Sequence, residues 1–331
     1  IIYIMHYYTN VQKYKDYILA RGIKNGERYI KRLKYEPTLY IPTKKSTAHK
    51  SIRGEFLQAK KFGSINHARN WRKKFKDTNI DIHGQDGWEY TYINEVFPSD
   101  IEFDIKQLNI LNIDIECECE DGFPEPIEAA EKVNAITMKL FGHDTIHVIG
   151  TDDFEFKTDD PNVKYYKCKH ELELLKTFMT VWEELQPDIV TGWNVETFDI
   201  AYLINRIWKL FNWDTVTELS PHKLVTSREW FYMGQKKMVS YNISGVSILD
   251  YLQMYKKFTY ITRETYRLDH ITEIELGKKK IDYSEFGAMH LFYRNDYQKF
   301  LEYNIRDTEL VEELDDKLKL MELVITMAYQ A

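Results

Sequence analysis

Leu111-Asn112-Ile113-Asp114-Ile115-Glu116-Cys117 decides how the rest of the chain is read. Alternation predicts a strand with Leu111, Ile113, Ile115 and Cys117 on one face and Asp114 with Glu116 on the other. Two carboxylates on one face of a central strand repel each other and lose hydration. A divalent metal ion is the usual compensation. Taken alone, Asp-x-Glu also fits an exposed strand face.

Two helices further along repeat the oddity. After Trp193, the residues Asp199, Leu203, Ile207 and Leu210 fall on one stripe at helical spacing, so an acidic residue heads a row aimed at a core. A first-turn Asp complementing the helix dipole is the alternative. In the last helix Tyr303, Asp307, Val311, Leu314, Leu318 and Met321 share one stripe, while Glu309, Glu312, Glu313 and Asp316 mark the expected solvent side. Tyr303 lies one turn before Asp307 and can reach whatever it binds. An Asp hydrogen-bonded to backbone is the alternative there. Together Asp114, Glu116, Asp199 and Asp307, with Tyr303, make a candidate cluster of hard oxygen ligands. Such a set suits two Mg²⁺ ions about 4 Å apart, one activating an attacking water and the other stabilising a leaving oxygen at phosphate.

Around these residues strands and helices alternate. Strands are expected at Asn109–Glu118, Val133–Leu140, Thr145–Gly150, Ile189–Trp193 and Val246–Leu249. Helices are expected at Glu171–Leu185, Thr197–Phe211, Tyr251–Phe258 and Asp296–Met327, with a hairpin between Pro221 and Ser244 whose tip is near Gly234. Three strands in succession followed by helix-separated ones predict an α/β fold, a mixed sheet with helices on both faces. Pro98 and the polar stretch Ser99–Lys106 read as a boundary, giving domains at 1–104 and 105–331.

The first domain reads as smaller and strand-rich, α+β, with a helical patch near Asn66–Lys76. Its charge is distinctive. Residues 1–80 carry a net of +14 and residues 81–331 a net of −21, which the whole-chain value of −7 conceals. Basic residues interleaved with Tyr29, Tyr35 and Tyr40 suit phosphate contact and base stacking, or equally a solvated face with tyrosines packed beneath. Cys117, Cys119 and Cys168 are an odd count, which argues against a disulfide framework and for a reducing compartment. No apolar run is long enough to span a bilayer, so no membrane partner is expected. Ile1 in place of Met points to a start lying upstream.

The acidic positions and their neighbours resemble a known family. Asp114-Ile115-Glu116, Asn194-Val195-Glu196-Thr197-Phe198-Asp199 and Tyr303-Asn304-Ile305-Arg306-Asp307 are similar, in order and spacing, to the three exonuclease motifs of family B DNA polymerases. Asp121-Gly122-Phe123-Pro124-Glu125-Pro126, Thr191-Gly192-Trp193, Ser220-Pro221-His222, Leu249-Asp250-Tyr251 and Tyr255-Lys256-Lys257-Phe258 narrow the resemblance to members from T-even-type bacteriophages.

The resemblance implies a ribonuclease-H-like 3′–5′ exonuclease domain of the DEDDy type, behind the family's N-terminal domain. It implies that Asp114, Glu116 and Asp307 hold one Mg²⁺, that Asp114 and Asp199 reach a second, and that Mn²⁺ can substitute. Tyr303 would orient the attacking water, Asn194 would place the 3′-terminal nucleotide, Phe123 would stack on or separate the last bases, and Phe198 would also bind substrate. The substrate implied is single-stranded or frayed DNA at a primer-template end, hydrolysed to 5′-mononucleotides in proofreading. Implied partners are a polymerase portion in cis or on a separate chain, a sliding clamp through that portion, and RNA at the N-terminal domain. The implied location is the host cytoplasm.

Asp250 is expected to cap a helix rather than bind metal. Cys117 and Cys119 are one residue apart without a second pair, a poor zinc site. The palm motifs Asp-x-x-Ser-Leu-Tyr-Pro-Ser and Tyr-x-Asp-Thr-Asp do not occur in residues 1–331, so this stretch by itself is not expected to polymerise DNA. A nucleic-acid-binding or assembly module of a split polymerase, and an exoribonuclease of the same superfamily, are the alternatives.

Overall fold

The computed structural model describes residues 5–76, 78, 80–120, 122–232 and 236–330. Gly234 of the expected hairpin tip and Asp121 of the quoted stretch lie outside the described residues. The chain forms two compact units that meet between Phe103 and Asp104.

In the first unit β1 (His6–Tyr14), β2 (Tyr17–Lys24) and β3 (Glu27–Lys34) form an antiparallel sheet. A second sheet takes β4 (Thr38–Pro42), β5 (His49–Lys50) and β6 (Phe56–Lys61) in the order β4-β6-β5. Two helices follow, α1 (Ile65–Lys74) and α2 (Trp88–Val96). Ser64 caps α1, its side chain accepting from the His67 amide, and Arg72, Lys73 and Lys74 complement the helix dipole at the other end. Ile18, Leu39, Phe62, Ile65 and Trp88 are buried together, and so is Tyr35. Of the three tyrosines in the basic stretch, Tyr35 is therefore spent on packing. Tyr29 carries Lys31 over its ring at 4.9 Å.

The second unit is built on a six-stranded mixed sheet. Its strands are β7 (Ile110–Cys117), β8 (Val133–Leu140), β9 (Ile146–Gly150), β10 (Val163–Lys167), β11 (Ile189–Thr191) and, last in the chain, Ser247–Ile248. β7, β8 and β9 pair antiparallel, Asp114 facing Thr137 across the ladder, and β11 runs parallel to β7 on its other side. Helices α3 (Glu171–Leu185) and α4 (Asp199–Leu210) cover one face, α5 (Trp213–Thr217) follows, and β12 (Val225–Tyr232) and β13 (Lys236–Ile243) form a separate hairpin. Ser247–Ile248 is β14, the edge strand beside β11. The chain then adds α6 (Tyr251–Phe258), α7 (Leu268–Leu276), α8 (Met289–Asn295), α9 (Tyr297–Leu318) and α10 (Leu320–Gln330).

Burial explains this layering. Leu111, Ile113, Ile115 and Cys117 pack into one core with Leu174, Phe178, Ile200 and Leu203 from α3 and α4. Each large aliphatic side chain so buried contributes about 1.5–3 kcal/mol. The opposite face carries Ala135, Val148, Phe292, Phe300, Leu301 and Tyr303, with α8 and α9 laid over it. Asn112, on the same side of β7 as Asp114 and Glu116, donates to the Thr308 carbonyl of α9 at 2.7 Å. β7 is thus packed against helices on both faces, and its carboxylates Asp114 and Glu116 are left half-buried.

Three differences from the sequence expectation have physical causes. The last helix, expected unbroken over Asp296–Met327, stops at Lys319, which turns left-handed (φ 53°). Asp315 Oδ1 accepts from the Met321 amide at 2.9 Å, so a side chain restarts the helix that no Gly or Pro interrupts. Glu309, Glu312 and Glu313 are not a free solvent face. Glu312 pairs with Lys139 at 2.5 Å, and Arg306 takes Glu309 and Glu313 at 3.0 Å. β10, α7 and α8 were not anticipated, being short and weakly periodic. Among the described residues no helix is long and apolar enough to cross a membrane.

Candidate active site

Period-two alternation puts Asp114 and Glu116 side by side on β7, and α9 brings Asp307 onto them from the covering layer. One carboxylate oxygen from each of the three lies within 4.8 Å of the others. Asp199 heads α4 from the other side of the strand. It is buried, and its Oδ1 accepts from the Ile115 amide at 3.0 Å, between the two acidic residues of β7. Of the four carboxylates anticipated as one cluster, three meet directly. The fourth stands beside them, its charge acting on Asp114.

The approach of α4 depends on a glycine. Gly192 ends β11 so close to β7 that a Cβ there would lie 2.5 Å from the Ile113 carbonyl. Asn194 follows with φ 67° and accepts through Oδ1 from Thr197 Oγ1 at 2.7 Å, fixing the turn into the helix. Phe198 precedes Asp199, its ring 4.8 Å from that of Phe123. Phe123 itself is 65% exposed, an aromatic surface held out toward solvent. Asp250 caps α6, accepting from the Gln253 amide, and its charge adds to the upward push on Asp199.

Electrostatics mark this group as unusual. Burial, followed by repulsion from Asp199, Asp307 and Glu116, pushes the Asp114 carboxyl well above the ordinary range. Burial and the Asp307 charge raise Glu116 to about 8. Burial raises Asp199 to about 7, with the Ile115 amide working against the shift. Asp307 is raised chiefly by burial, with Lys280 opposing.

Lys280 is the residue that sequence reading missed. Its ammonium donates to Tyr303 Oη at 3.0 Å and forms an ion pair with Asp307 Oδ2. Burial lowers its pKa, but the charges of Asp307, Tyr303 and Asp114 outweigh that, so it stays protonated. Asn304 was also unassigned. Its Nδ2 donates to Asp114 Oδ2 at 2.6 Å while Thr137 Oγ1 donates to its Oδ1 at 2.5 Å, which locks Asp114 in orientation. Asn304 sits one turn before Thr308 on the inward side of α9, a position helical periodicity does reveal.

Whether these residues suit a divalent cation is tested by Asp307. Its Oδ1 is buried with no hydrogen-bond partner, and a buried carboxylate oxygen left so is costly unless a cation takes it. The donor set is all carboxylate oxygen, the chemistry of Mg²⁺ or Mn²⁺ and not of zinc. Residues Asp114, Glu116 and Asp307 fit such an ion.

These groups lie at the floor of an open cleft of about 830 Å³. Its walls include Phe123, Asn194 and Phe198 on one side and Tyr283, Met289, His290 and Tyr303 on the other, with Arg267 and Lys280 as cations. Of the residues singled out in the sequence, Asp114, Glu116, Phe123, Asn194, Phe198, Tyr303 and Asp307 line this cavity, and Asp199 is not among its lining residues. Carboxyls with raised pKa values in a cleft, beside exposed aromatic surface, mark a candidate functional site.

The family model described as DNA polymerase family B, exonuclease domain, matches residues 59–271, a range that includes Asp114, Glu116, Asn194 and Asp199 and stops before Tyr303 and Asp307. The DNA-directed DNA polymerase of Escherichia phage RB69 is 30% identical over 354 aligned residues, covering 98% of this chain and 38% of the relative. That of Enterobacteria phage T4 is 29% identical over 350, with the same coverage of each chain. The DNA polymerase catalytic subunit of Alcelaphine herpesvirus 1 is 28% identical over 225, covering 64% of this chain and 21% of the relative. The chain therefore spans about 38% of the length of the phage relatives it matches.

Proposed function

This chain belongs to DNA polymerase family B and carries its exonuclease domain, and on that premise we propose that the cleft hydrolyses the terminal phosphodiester at the 3′ end of single-stranded or frayed DNA, releasing 5′-mononucleotides. The observation that carries the reading is the convergence of Asp114, Glu116 and Asp307, with the unpartnered Asp307 Oδ1, at the floor of an open cleft.

Asp114, Glu116 and Asp307 would hold one divalent ion, and Asp199 with Asp114 would reach a second. When bound, such ions supply Lewis acidity at the phosphate and lower the pKa of water. The chain's own groups do the rest. Tyr303 Oη, held by Lys280, orients the attacking water against the scissile phosphate, and the Lys280 ammonium offsets negative charge gathering there. Asn304 and Thr137 keep Asp114 from turning away. Asn194 and the Phe123–Phe198 pair receive the terminal nucleotide, its base against the exposed ring. A paired end must first give up its stacking and pairing, which costs a few kcal/mol, so a mismatched end is preferred. That preference is the basis of a proofreading role beside a polymerase portion, in the cytoplasm of a phage host.

For the first unit we propose nucleic-acid contact. Lys13, Arg69, Lys73 and Lys76 line a cleft of about 600 Å³ there, in a region of net +14.

A 5′-labelled oligonucleotide incubated with the chain and Mg²⁺ or Mn²⁺ should shorten one nucleotide at a time from its 3′ end, and EDTA should stop it. Shortening that persists in Asp114→Ala with EDTA present would remove this reading. Retained strand binding without any shortening would favour a binding or assembly module.

A further inference from the structure

Helix α4 carries a row of polar side chains, Tyr202, Asn205 and Arg206, that grip the main chain of one loop. Tyr202 Oη donates to the Glu131 carbonyl at 2.7 Å, and Arg206 Nη1 donates to those of Ala129 at 3.0 Å and Ala130 at 2.8 Å. Asn205 Nδ2 donates to the Pro126 carbonyl at 2.9 Å. That carbonyl lies three residues beyond Phe123, so the row fixes the base of the segment that presents the exposed ring.

Asn205 also faces the hairpin. Tyr241 of β13 donates through its hydroxyl to Asn205 Oδ1 at 2.6 Å, and both side chains are buried. The amide is used at both ends, its oxygen toward the hairpin and its nitrogen toward the loop, so neither bond survives a flip of the group. Next to it, Phe123, Pro126 and Phe198 share a small pocket of about 130 Å³ with Lys237, Met238 and Val239 of β13. The loop and the hairpin therefore meet twice, through the Asn205 amide and across this pocket.

From this arrangement we propose that Asn205 and Tyr241 are positioning residues that join hairpin β12–β13 to the Phe123 loop, so that the two act as one clamp on the terminal base of an unpaired strand. This rests on the exonuclease reading of the cleft, in which Phe123 receives that base. The Tyr241 hydroxyl has no contact with the acidic cluster. Removing it frees the clamp and leaves the hydrolytic groups where they are. A buried neutral hydrogen bond of this kind is expected to change strand affinity about fivefold.

The test compares wild type, Tyr241→Phe, Phe123→Ala and the double variant in two measurements. The first is KM and kcat on a 5′-labelled single strand with Mg²⁺. The second is Kd, in EDTA, for the same strand carrying a fluorescent purine at its 3′ end. Tyr241→Phe should raise KM and Kd about fivefold with kcat within about twofold of wild type, and Asn205→Ala, which also loses the bond to the Pro126 carbonyl, should raise both further. In the Phe123→Ala background the added Tyr241→Phe change should cost nothing further, because the ring it positions is gone. The proposal is overturned if Tyr241→Phe keeps wild-type KM and Kd, if its effect multiplies that of Phe123→Ala, or if kcat falls while KM stays. A wild-type chain that binds the fluorescent strand without hydrolysing it defeats the exonuclease reading alone, and the Kd series still decides the clamp. A wild-type chain that does not bind the strand overturns both.

Discussion

Two groups of buried charge lie in the second unit, and they are built on opposite plans. Arg206 and Glu171 form a two-pronged ion pair, Nε and Nη2 reaching Oε1 at 2.7 Å and Oε2 at 2.6 Å. The remaining Nη1 is spent on two loop carbonyls, and the Val133 amide donates to Glu171 Oε1. Every charge there has an opposite partner. At Asp114, Glu116, Asp199 and Asp307, four carboxylates share one ammonium, that of Lys280, and one buried oxygen has no partner. The first group holds the fold together. The second is tolerated by it, since like charges crowded together and partly withdrawn from water are a standing cost that a bound cation offsets.

Substitution should separate the two. Asp114→Ala removes the residue common to both proposed ion positions, and the rate of 3′-end shortening should fall by about a thousandfold or more, roughly 4 kcal/mol of barrier. In EDTA its stability should change little, because a repelling carboxyl is lost together with the bond it accepts from Asn304. Arg206→Met does the reverse. It leaves Glu171 buried without a partner and should cost about 3 kcal/mol in a denaturant titration, with hydrolysis of saturating single strand little changed. If Asp114→Ala destabilises as much as Arg206→Met, the contrast is wrong.

Acidity should sharpen it. In the folded, metal-free chain Glu116 titrates near 8 against an ordinary 4.5, and Asp199 near 7 against 3.8. Folding therefore favours the protonated carboxyls. That contribution is complete below about pH 4 and is lost as pH rises through 7 to 8. The loss should be a few kcal/mol, on the order of 5 at most, between pH 5.5 and 8 in EDTA, read as a falling denaturation midpoint. Glu116→Gln should flatten the profile, and Mg²⁺ or Mn²⁺ should stabilise more at pH 8 than at pH 5.5. A midpoint that climbs over this range would contradict the raised values. The smallest expected effect belongs to Tyr303→Phe, which keeps the ring and loses the hydroxyl held by Lys280. It should lower kcat about tenfold, near 1.4 kcal/mol, with KM unchanged.

Much of this site is legible in the chain because periodicity reports direction. Alternation places Asp114 with Glu116 across from Ile113 and Ile115, and helical spacing turns Asp199 and Asp307 inward. Those inferences need only strand and helix geometry, which is local. Lys280 escapes them. It stands in the run Lys278-Lys279-Lys280, outside any regular element. Lys278 and Lys279 are more than half exposed and pair with Glu313 and Glu273, while Lys280 alone turns to Asp307. Nothing in three adjacent lysines says which one faces the cleft.

The sequence by itself determined the mixed α/β architecture, the basic and acidic halves, the acidic positions and their family. All of these rest on patterns within a few turns of chain or on residue order. Only the tertiary structure decided that three of the four carboxylates meet while Asp199 binds the Ile115 amide, that Asn304 fixes Asp114, and that Asn205 bridges Pro126 and Tyr241. The hydrogen-bonded pairs among these are 36 to 190 residues apart. Their meeting depends on how α4 and α9 pack over β7, which no local period specifies.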